Sequence, residues 1–160
     1  MLSSSPRQTQ KIAEILVKTL LADPEKSPRI FCLQGDLGAG KTTFIQGIAK
    51  ALKIKNKILS PTFVIMKDFK IGLRPFQRLF HIDCYRFDKP EEILALNFKE
   101  IITNPKNLIF IEWPERIAKF LPKNSVWLEF KVKGKNKREI IISSKRKMQS
   151  SKQQLKTKNF

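Results

Sequence analysis

The sequence has few of the features that mark secreted, membrane or metal-rich proteins. Its 160 residues include two cysteines, Cys32 and Cys84, far apart and without metal-ligand spacing, so we expect reduced, buried thiols. No apolar run approaches the roughly 20 residues of a membrane span. The segment Met1–Pro6 lacks the charged start and apolar block of a secretory signal. These absences predict a cytoplasmic protein with no membrane association.

Acidic residues are also scarce. There are 14 of them against 32 basic residues, which gives a formal net charge of +18. A basic surface attracts polyanions such as RNA. However, lysine outnumbers arginine, whereas bidentate phosphate recognition favours arginine, and a composition rich in Lys, Ile and Asn is typical of AT-rich genomes. The charge therefore leaves contact with a nucleic acid and compositional drift both open.

The length and an apolar fraction of 41% predict one domain with a real core. Residues 144–160 are different, because this stretch contains six basic residues and no acidic residue. We expect an α/β domain over residues 1–143 and a disordered basic tail over 144–160, with a weak helix or an RNA-binding arm as the alternative. No pattern indicates an oligomeric state.

Periodicity predicts alternating helices and strands around a mixed sheet. Helical spacing covers Arg7–Leu21 and Lys41–Leu52, and a helix start is indicated at Pro90. Strands are predicted at Ile30–Leu33, Thr62–Phe69, Arg78–Asp83 and Leu108–Ile111, and an antiparallel hairpin joins Trp127–Lys133 to Glu139–Ser143. This order favours a three-layer α/β fold.

The strongest motif is Gly35-Asp36-Leu37-Gly38-Ala39-Gly40-Lys41-Thr42, a full match to Gly-x-x-x-x-Gly-Lys-Ser/Thr between a strand and a helix. Glycines allow successive backbone N–H groups to point inward at a helix N-terminus, where they bind phosphate oxygens. The Lys41 ammonium reaches the β- and γ-phosphates, and the Thr42 hydroxyl ligates Mg²⁺. The motif therefore predicts a site for a phosphate chain such as that of Mg-ATP.

A P-loop protein also needs an acidic group near Mg²⁺, and that group usually follows a neighbouring apolar strand. Glu112 and Asp83 each follow such a strand. The alternatives are an exposed carboxylate for Glu112 and an ion pair with Arg86 for Asp83. His81, the single histidine, fits a packing role and a catalytic role equally well.

Four blocks in order resemble the TsaE (YjeE) family, the small ATPases of bacterial tRNA threonylcarbamoyladenosine synthesis. They are Gly35–Phe44, Ser60-Pro61-Thr62-Phe63, His81-Ile82-Asp83-Cys84-Tyr85-Arg86 and Ile111-Glu112-Trp113-Pro114-Glu115. The resemblance implies a protein that binds ATP and Mg²⁺ and hydrolyses ATP. It also implies that the protein acts with TsaB and TsaD, allowing turnover of the complex that modifies adenosine 37 of tRNA.

The resemblance assigns residue roles. Thr42 and Glu112 would hold Mg²⁺, and Asp83, Glu112 and Lys41 would serve hydrolysis. The nucleotide contacts expected are Thr9, near the adenine, with Gly35, Asp36, Leu37, Gly38, Ala39, Gly40, Lys41, Thr42, Thr43, Thr62 and Trp113. Trp113 has the alternative of a core aromatic that caps its strand, and Thr62 that of a plain turn.

Two positions depart from the family pattern. Asn97 stands where glycine is usual, and a left-handed turn tolerates asparagine better than other non-glycine residues. Phe69 replaces a tyrosine. Among rival functions, a GTPase would need an Asn-Lys-x-Asp segment that the sequence lacks, and a small-molecule kinase would need an arginine cluster after the loop. A protein that binds ATP only as a conformational signal stays open.

Overall fold

The computed structural model describes residues 1–24 and 29–143. Within these ranges the strands are β1 (Leu2–Ser3), β2 (Ile30–Gln34), β3 (Met66–Lys70), β4 (Arg78–Asp83), β5 (Asn107–Glu112), β6 (Val126–Val132) and β7 (Arg138–Ser143). The α-helices are α1 (Pro6–Ala22), α2 (Lys41–Ala51) and α3 (Phe98–Thr103), and 3₁₀ segments cover Pro90–Leu96 and Pro114–Phe120. The predicted basic tail, 144–160, lies outside the described residues.

The strands form one mixed sheet in the order β1-β7-β6-β2-β5-β4-β3. Strands β6, β2, β5 and β4 are parallel to one another, whereas β3 pairs antiparallel with β4. Strand β7 pairs antiparallel with β6, so the predicted C-terminal hairpin is confirmed. Strand β1, which sequence periodicity does not reveal, pairs with β7.

The sheet is covered on both faces, which confirms the three-layer α/β fold. Successive side chains of β2 point to opposite faces, as in any strand. Phe31 therefore packs in the cluster with residues of α1 and α2, and Cys32 packs in the cluster with residues of α3 and the 3₁₀ segments. Both strand residues are fully buried.

Helices α1 and α2 pack closely where a glycine permits it. A Cβ at Gly47 would lie 2.7 Å from the Cα of Gln10 and 2.9 Å from the Cβ of Ala13. Helix α1 begins as predicted, with Pro6 in its first turn and the Ser5 hydroxyl accepting a hydrogen bond from the Gln8 N–H at 3.2 Å. The close contact between α1 and α2 positions α2 after the glycine loop.

The strand predicted over Thr62–Phe69 is wrong at its start, because β3 begins only at Met66. The N–H groups of Val64 and Ile65 both donate to the Pro61 carbonyl, and Ile65 has a φ of 65°. A turn thus replaces strand pairing in this apolar, β-branched stretch.

The helix start predicted at Pro90 begins a 3₁₀ segment instead of an α-helix, and it ends at Leu96. Asn97 follows with φ 53° and ψ 34°, so the prediction that asparagine would occupy a left-handed turn there is confirmed. Over the described part of the chain, no helix is both long and apolar enough to cross a membrane.

Candidate nucleotide-binding site

Three strands bring the predicted site residues to one edge of the sheet. Glu112, the last residue of β5, pairs in register with Asp83 at the end of β4 and with Leu33 near the end of β2. The glycine loop follows β2 directly. In open α/β sheets, ligands bind outside the carboxyl ends of the parallel strands, and this edge is such a place.

The glycine loop has a backbone that only glycine adopts easily. The φ angles are 147° at Gly35, 74° at Gly38 and 100° at Gly40. A Cβ at Gly35 would also lie 2.5 Å from the Phe130 carbonyl oxygen, which no side chain allows. Helix α2 begins directly after the loop at Lys41, so its unbonded first-turn N–H groups face any anion held there.

Lys41 is a buried cation, with 4% of its surface exposed. Its Nζ donates to the carbonyls of Gly35 at 2.7 Å and Asp36 at 2.9 Å, and lies 4.6 Å from the centre of the Trp113 ring. Burial lowers the pKa of this amine, and nearby carboxylates, Glu112 first among them, partly offset that effect. The loop carbonyls therefore hold the ammonium in position before any phosphate binds.

Glu112 is buried, so the alternative of an exposed strand-end carboxylate is wrong. Its Oε1 accepts from the Thr42 hydroxyl at 2.9 Å and lies 2.9 Å from His81 Nε2. His81 is fully buried, and an Nε2–H donating to the carboxylate orients it. His81 thus lies behind Glu112, in contact with its carboxylate.

The donor set suits Mg²⁺. The described residues contain no group of three or more His, Cys, Asp or Glu side chains that could hold a metal ion. Mg²⁺ keeps several waters and is typically held by one or two protein oxygens together with substrate phosphates. The hydroxyl of Thr42 and the carboxylate of Glu112 supply two such oxygens beside the phosphate-binding loop.

Asp83 is also buried, and its two oxygens have separate partners. Oδ2 accepts from the Thr62 hydroxyl at 2.6 Å and from the Ser60 hydroxyl at 3.2 Å, while Oδ1 accepts from the Tyr85 N–H at 3.0 Å. The carboxylate is therefore tied to the block Ser60-Pro61-Thr62-Phe63.

The alternative of an Asp83–Arg86 ion pair is wrong. The Arg86 guanidinium carbon instead lies 4.5 Å from the centre of the Phe63 ring. Phe63 itself is 83% exposed. Val64, the next residue, and Leu37 of the glycine loop are also exposed.

A cavity of about 450 Å³ joins these groups, lined by Leu37, Gly38, Ala39, Gly40, Lys41, Thr42, Thr43, Ser60, Thr62, Asp83, Tyr85, Glu112 and Trp113. Gly35 and Asp36 lie behind Lys41 and contact its amine instead. Thr9 is not in the lining. It is buried on α1, with its hydroxyl 2.8 Å from that of Ser3.

Sequence reasoning did not assign site roles to Ser60 and Tyr85, although both line the cavity. Each lies within a block quoted for the family resemblance, which was the available signal. The sequence also did not reveal a hydrogen bond between the C-terminal hairpin and the glycine loop. Arg138 of β7 donates to the Gly38 carbonyl at 3.3 Å, linking the C-terminal hairpin to the glycine loop across 100 residues.

The fold and site define a P-loop nucleotide-binding protein. Residues 3–140 match the family described as threonylcarbamoyl adenosine biosynthesis protein TsaE. A tRNA threonylcarbamoyladenosine biosynthesis protein TsaE from Bacillus subtilis is 34% identical over 140 residues, covering 88% of this chain and 82% of that protein. The corresponding protein from Rickettsia prowazekii is 38% identical over 136 residues, covering 84% of this chain and 88% of its own length.

The crystal structure of Bacillus subtilis YdiB is also similar, with a TM-score of 0.68 and 27% identity over 90% of this chain and 84% of that one. The chain therefore belongs to the TsaE family, as its four motif blocks predicted.

Proposed function

We propose that this chain is a Mg²⁺-dependent ATPase acting in tRNA threonylcarbamoyladenosine biosynthesis. It would work in the cytoplasm with TsaB and TsaD and allow turnover of their transferase complex. The observation that carries the proposal is the convergence of the Lys41 amine, the Thr42 hydroxyl and the carboxylates of Asp83 and Glu112 on one cavity. Family membership supports the biosynthetic role.

The phosphate chain of ATP would lie along the glycine loop. The first-turn N–H groups of α2 donate to its oxygens. Lys41 Nζ exchanges its carbonyl acceptors, Gly35 and Asp36, for phosphate oxygens, which form stronger charge-assisted hydrogen bonds. The low exposure of Lys41 strengthens this contact, because solvent screens it little.

The metal would sit between the phosphates and the pair formed by Thr42 and Glu112. When bound, Mg²⁺ neutralises negative charge on the phosphate oxygens. The carboxylate of Glu112 is held for this by the fully buried His81. The Thr42 hydroxyl, which donates its proton to Glu112, would supply an oxygen lone pair to the cation.

Asp83 is the group available to orient the attacking water and accept its proton. Its Oδ2 is held by the hydroxyls of Thr62 and Ser60, and it lines the same cavity as Lys41. The two carboxylates have different hydrogen-bond partners and can therefore have different roles in hydrolysis. Glu112 serves the metal, and Asp83 serves the water.

Hydrolysis by the isolated chain is expected to be slow. No arginine is found among the described residues that line the cavity, whereas P-loop enzymes gain about 10³–10⁵ in rate from an arginine that stabilises the transferred phosphoryl group. The segment around Thr62 presents the exposed side chains of Phe63 and Val64. A partner that covers this segment would order it and complete the site.

The test measures ATP hydrolysis with and without TsaB and TsaD, and multiple-turnover tRNA modification. Partners should raise the hydrolysis rate. Asp83→Ala and Glu112→Ala should each abolish cycling while the protein stays folded, and Glu100→Ala, an exposed carboxylate on α3, should cycle like wild type. Normal cycling by both site variants would refute the proposal.

The hydrogen bond between Thr62 and Asp83 also favours a second function, in which ATP binding alone acts as a conformational signal. That bond links the nucleotide cavity to an exposed segment. Under this alternative, Asp83→Ala would still support modification, but Lys41→Ala, which weakens ATP binding itself, would not.

A further inference from the structure

A second cavity, of about 790 Å³, lies at the opposite end of the same strands. It is lined by Lys70, Ile71, Gly72, Arg74, Pro75, Phe76, Gln77, Arg78 and Lys106. Lys70 ends β3, Arg78 begins β4, and Lys106 directly precedes β5. A strand rises about 3.3 Å per residue, so β4 separates this cavity from the nucleotide site by roughly 15–20 Å. We call this cavity the basic cleft.

Its lining contains four cations and no acidic side chain. Arg78 is paired with the carboxylate of Asp68 on β3. For Lys70, Arg74 and Lys106, no carboxylate among the described residues lies within ion-pair distance, and all three are exposed. Three lysines elsewhere on the described surface have acidic partners: Lys119 pairs with Glu91, Lys131 with Glu129 and Lys133 with Glu139.

Most of the cleft belongs to a strongly basic stretch of the described chain. Between residues 50 and 80 there are eight basic residues and one acidic residue. The basic residues are Lys50, Lys53, Lys55, Lys57, Lys67, Lys70, Arg74 and Arg78. Like charges around a concavity repel one another, and a cleft lined by one sign focuses the field and concentrates ligands of opposite charge. The repulsion between these cations raises the electrostatic energy of the empty cleft, and a bound anionic ligand would lower it.

We propose that the basic cleft binds the phosphate backbone of RNA. Lys70 and Lys106 offer point charges, and Arg74 adds a planar fork suited to bidentate phosphate contact. The cleft is large enough for more than a single phosphate group, which favours a polyanion. The identity of that RNA as tRNA rests on the proposed function, but the cleft itself does not.

Because the two cavities lie at opposite ends of the sheet, RNA and ATP can bind at the same time. The cleft shares no lining residue with the nucleotide cavity. A change in the cleft should therefore alter RNA affinity and leave nucleotide affinity unchanged.

The experiment measures binding of a fluorescent, unmodified tRNA transcript to the full chain by anisotropy, without nucleotide, over a series of salt concentrations. The cleft variant carries Lys70→Gln, Arg74→Gln and Lys106→Gln. Arg78 is kept because it pairs with Asp68. The matched control carries Arg7→Gln, Lys11→Gln and Lys18→Gln, three exposed cations of α1, so both variants lose the same charge.

The cleft variant should bind tRNA about a hundredfold more weakly at 0.1 M salt, and the slope of log affinity against log salt should become shallower by about 2–3. The control should lose much less. A charge-conserving variant with Lys70→Arg, Arg74→Lys and Lys106→Arg should bind like wild type. Mg-ADP affinity should be unchanged in the cleft variant, which also shows that it is folded.

Equal losses in the cleft variant and the control would mean that binding follows net charge alone, and would overturn the proposal. Wild-type tRNA affinity in the cleft variant would overturn it as well. The proposed ATPase function fails separately, by absence of Mg-ATP binding or turnover in wild-type protein whose RNA binding is intact.

Discussion

The two ends of the parallel strands carry charge in opposite ways. At the carboxyl ends of β4 and β5, Asp83, Glu112 and the nearby Lys41 are all buried, and each accepts or donates specific hydrogen bonds. At the amino ends, Arg74 and Lys106 are exposed and unpaired with any carboxylate of the described residues. The same strands thus support a fixed, mixed-sign site at one end and an open, single-sign surface at the other.

The difference shows what each arrangement can do. Buried, hydrogen-bonded charges keep one geometry and act in a weakly screened environment, which suits catalysis on a phosphate chain. Exposed charges are screened by salt and hold no single geometry, which suits capture of a flexible polyanion. Substitutions at the two ends should therefore have separable effects.

The largest effect should come from removing the buried cation. Lys41→Ala should weaken ATP binding by about 1.5–3 kcal/mol, because a charge-assisted phosphate contact is lost. Isothermal calorimetry measures this directly. Lys106→Ala, the matched change at the other end of the sheet, should leave ATP affinity unchanged, and wild-type affinity in Lys41→Ala would remove the cavity from consideration as the nucleotide site.

Gly35→Ala should destabilise the fold at the carboxyl end by about 1–3 kcal/mol, because the new methyl group meets the Phe130 carbonyl. The control is Gly134→Ala in the hairpin turn. That residue has a similar φ, 157° against 147°, but nothing within 4 Å of its added Cβ. Urea unfolding should show a larger loss for Gly35→Ala, and equal losses would mean that backbone conformation alone is responsible.

A smaller, spectroscopic effect separates the two tryptophans. Trp113 lines the nucleotide cavity beneath the Lys41 amine, whereas Trp127 is buried in β6. Mg-ADP should change the tryptophan fluorescence of the wild type and of Trp127→Phe. The change should vanish in Trp113→Phe, and its survival there would show that the nucleotide lies elsewhere.

The smallest expected effect concerns the chemical reactivity of the two cysteine thiols. Burial raises the pKa of the Cys32 thiol to about 12 and that of Cys84 in the same direction. The folded protein should therefore resist thiol reagents at pH 9, where the unfolded chain reacts fully. Since the folded state holds these protons more tightly, stability should fall as the pH rises above the ordinary thiol value of 9.0. Rapid labelling of the native protein at pH 9 would contradict the burial.

Local patterns predicted most of the fold and the composition of the site. Strand β4 has the predicted bounds, Arg78–Asp83, because a continuous apolar run ends there in a charged residue. The glycine loop and the carboxylate that ends β5 could be predicted for the same reason, since each belongs to a short motif with its own physical requirement. These features depend on residues that are neighbours in the chain.

What local patterns did not predict depends on distant contacts. Strand β1 exists through pairing with β7, and Arg138 reaches the Gly38 carbonyl from the far end of the chain. The partners of His81 and Asp83 likewise needed the sheet register. The exception is the turn at Val64 and Ile65, which was missed because local hydrogen bonds to the Pro61 carbonyl outweigh the strand propensity of β-branched residues.

The most direct measurement of the central claim is ATP affinity with and without Mg²⁺. We compare the wild type with Thr42→Ala and Glu112→Gln, whose side chains form the hydrogen-bonded pair beside the glycine loop. Mg²⁺ should raise the affinity of the wild type, and both variants should lose that gain while keeping their metal-free affinity. Full Mg²⁺ enhancement in Glu112→Gln would contradict the assignment of the carboxyl ends of β2 and β5 as the metal–nucleotide site.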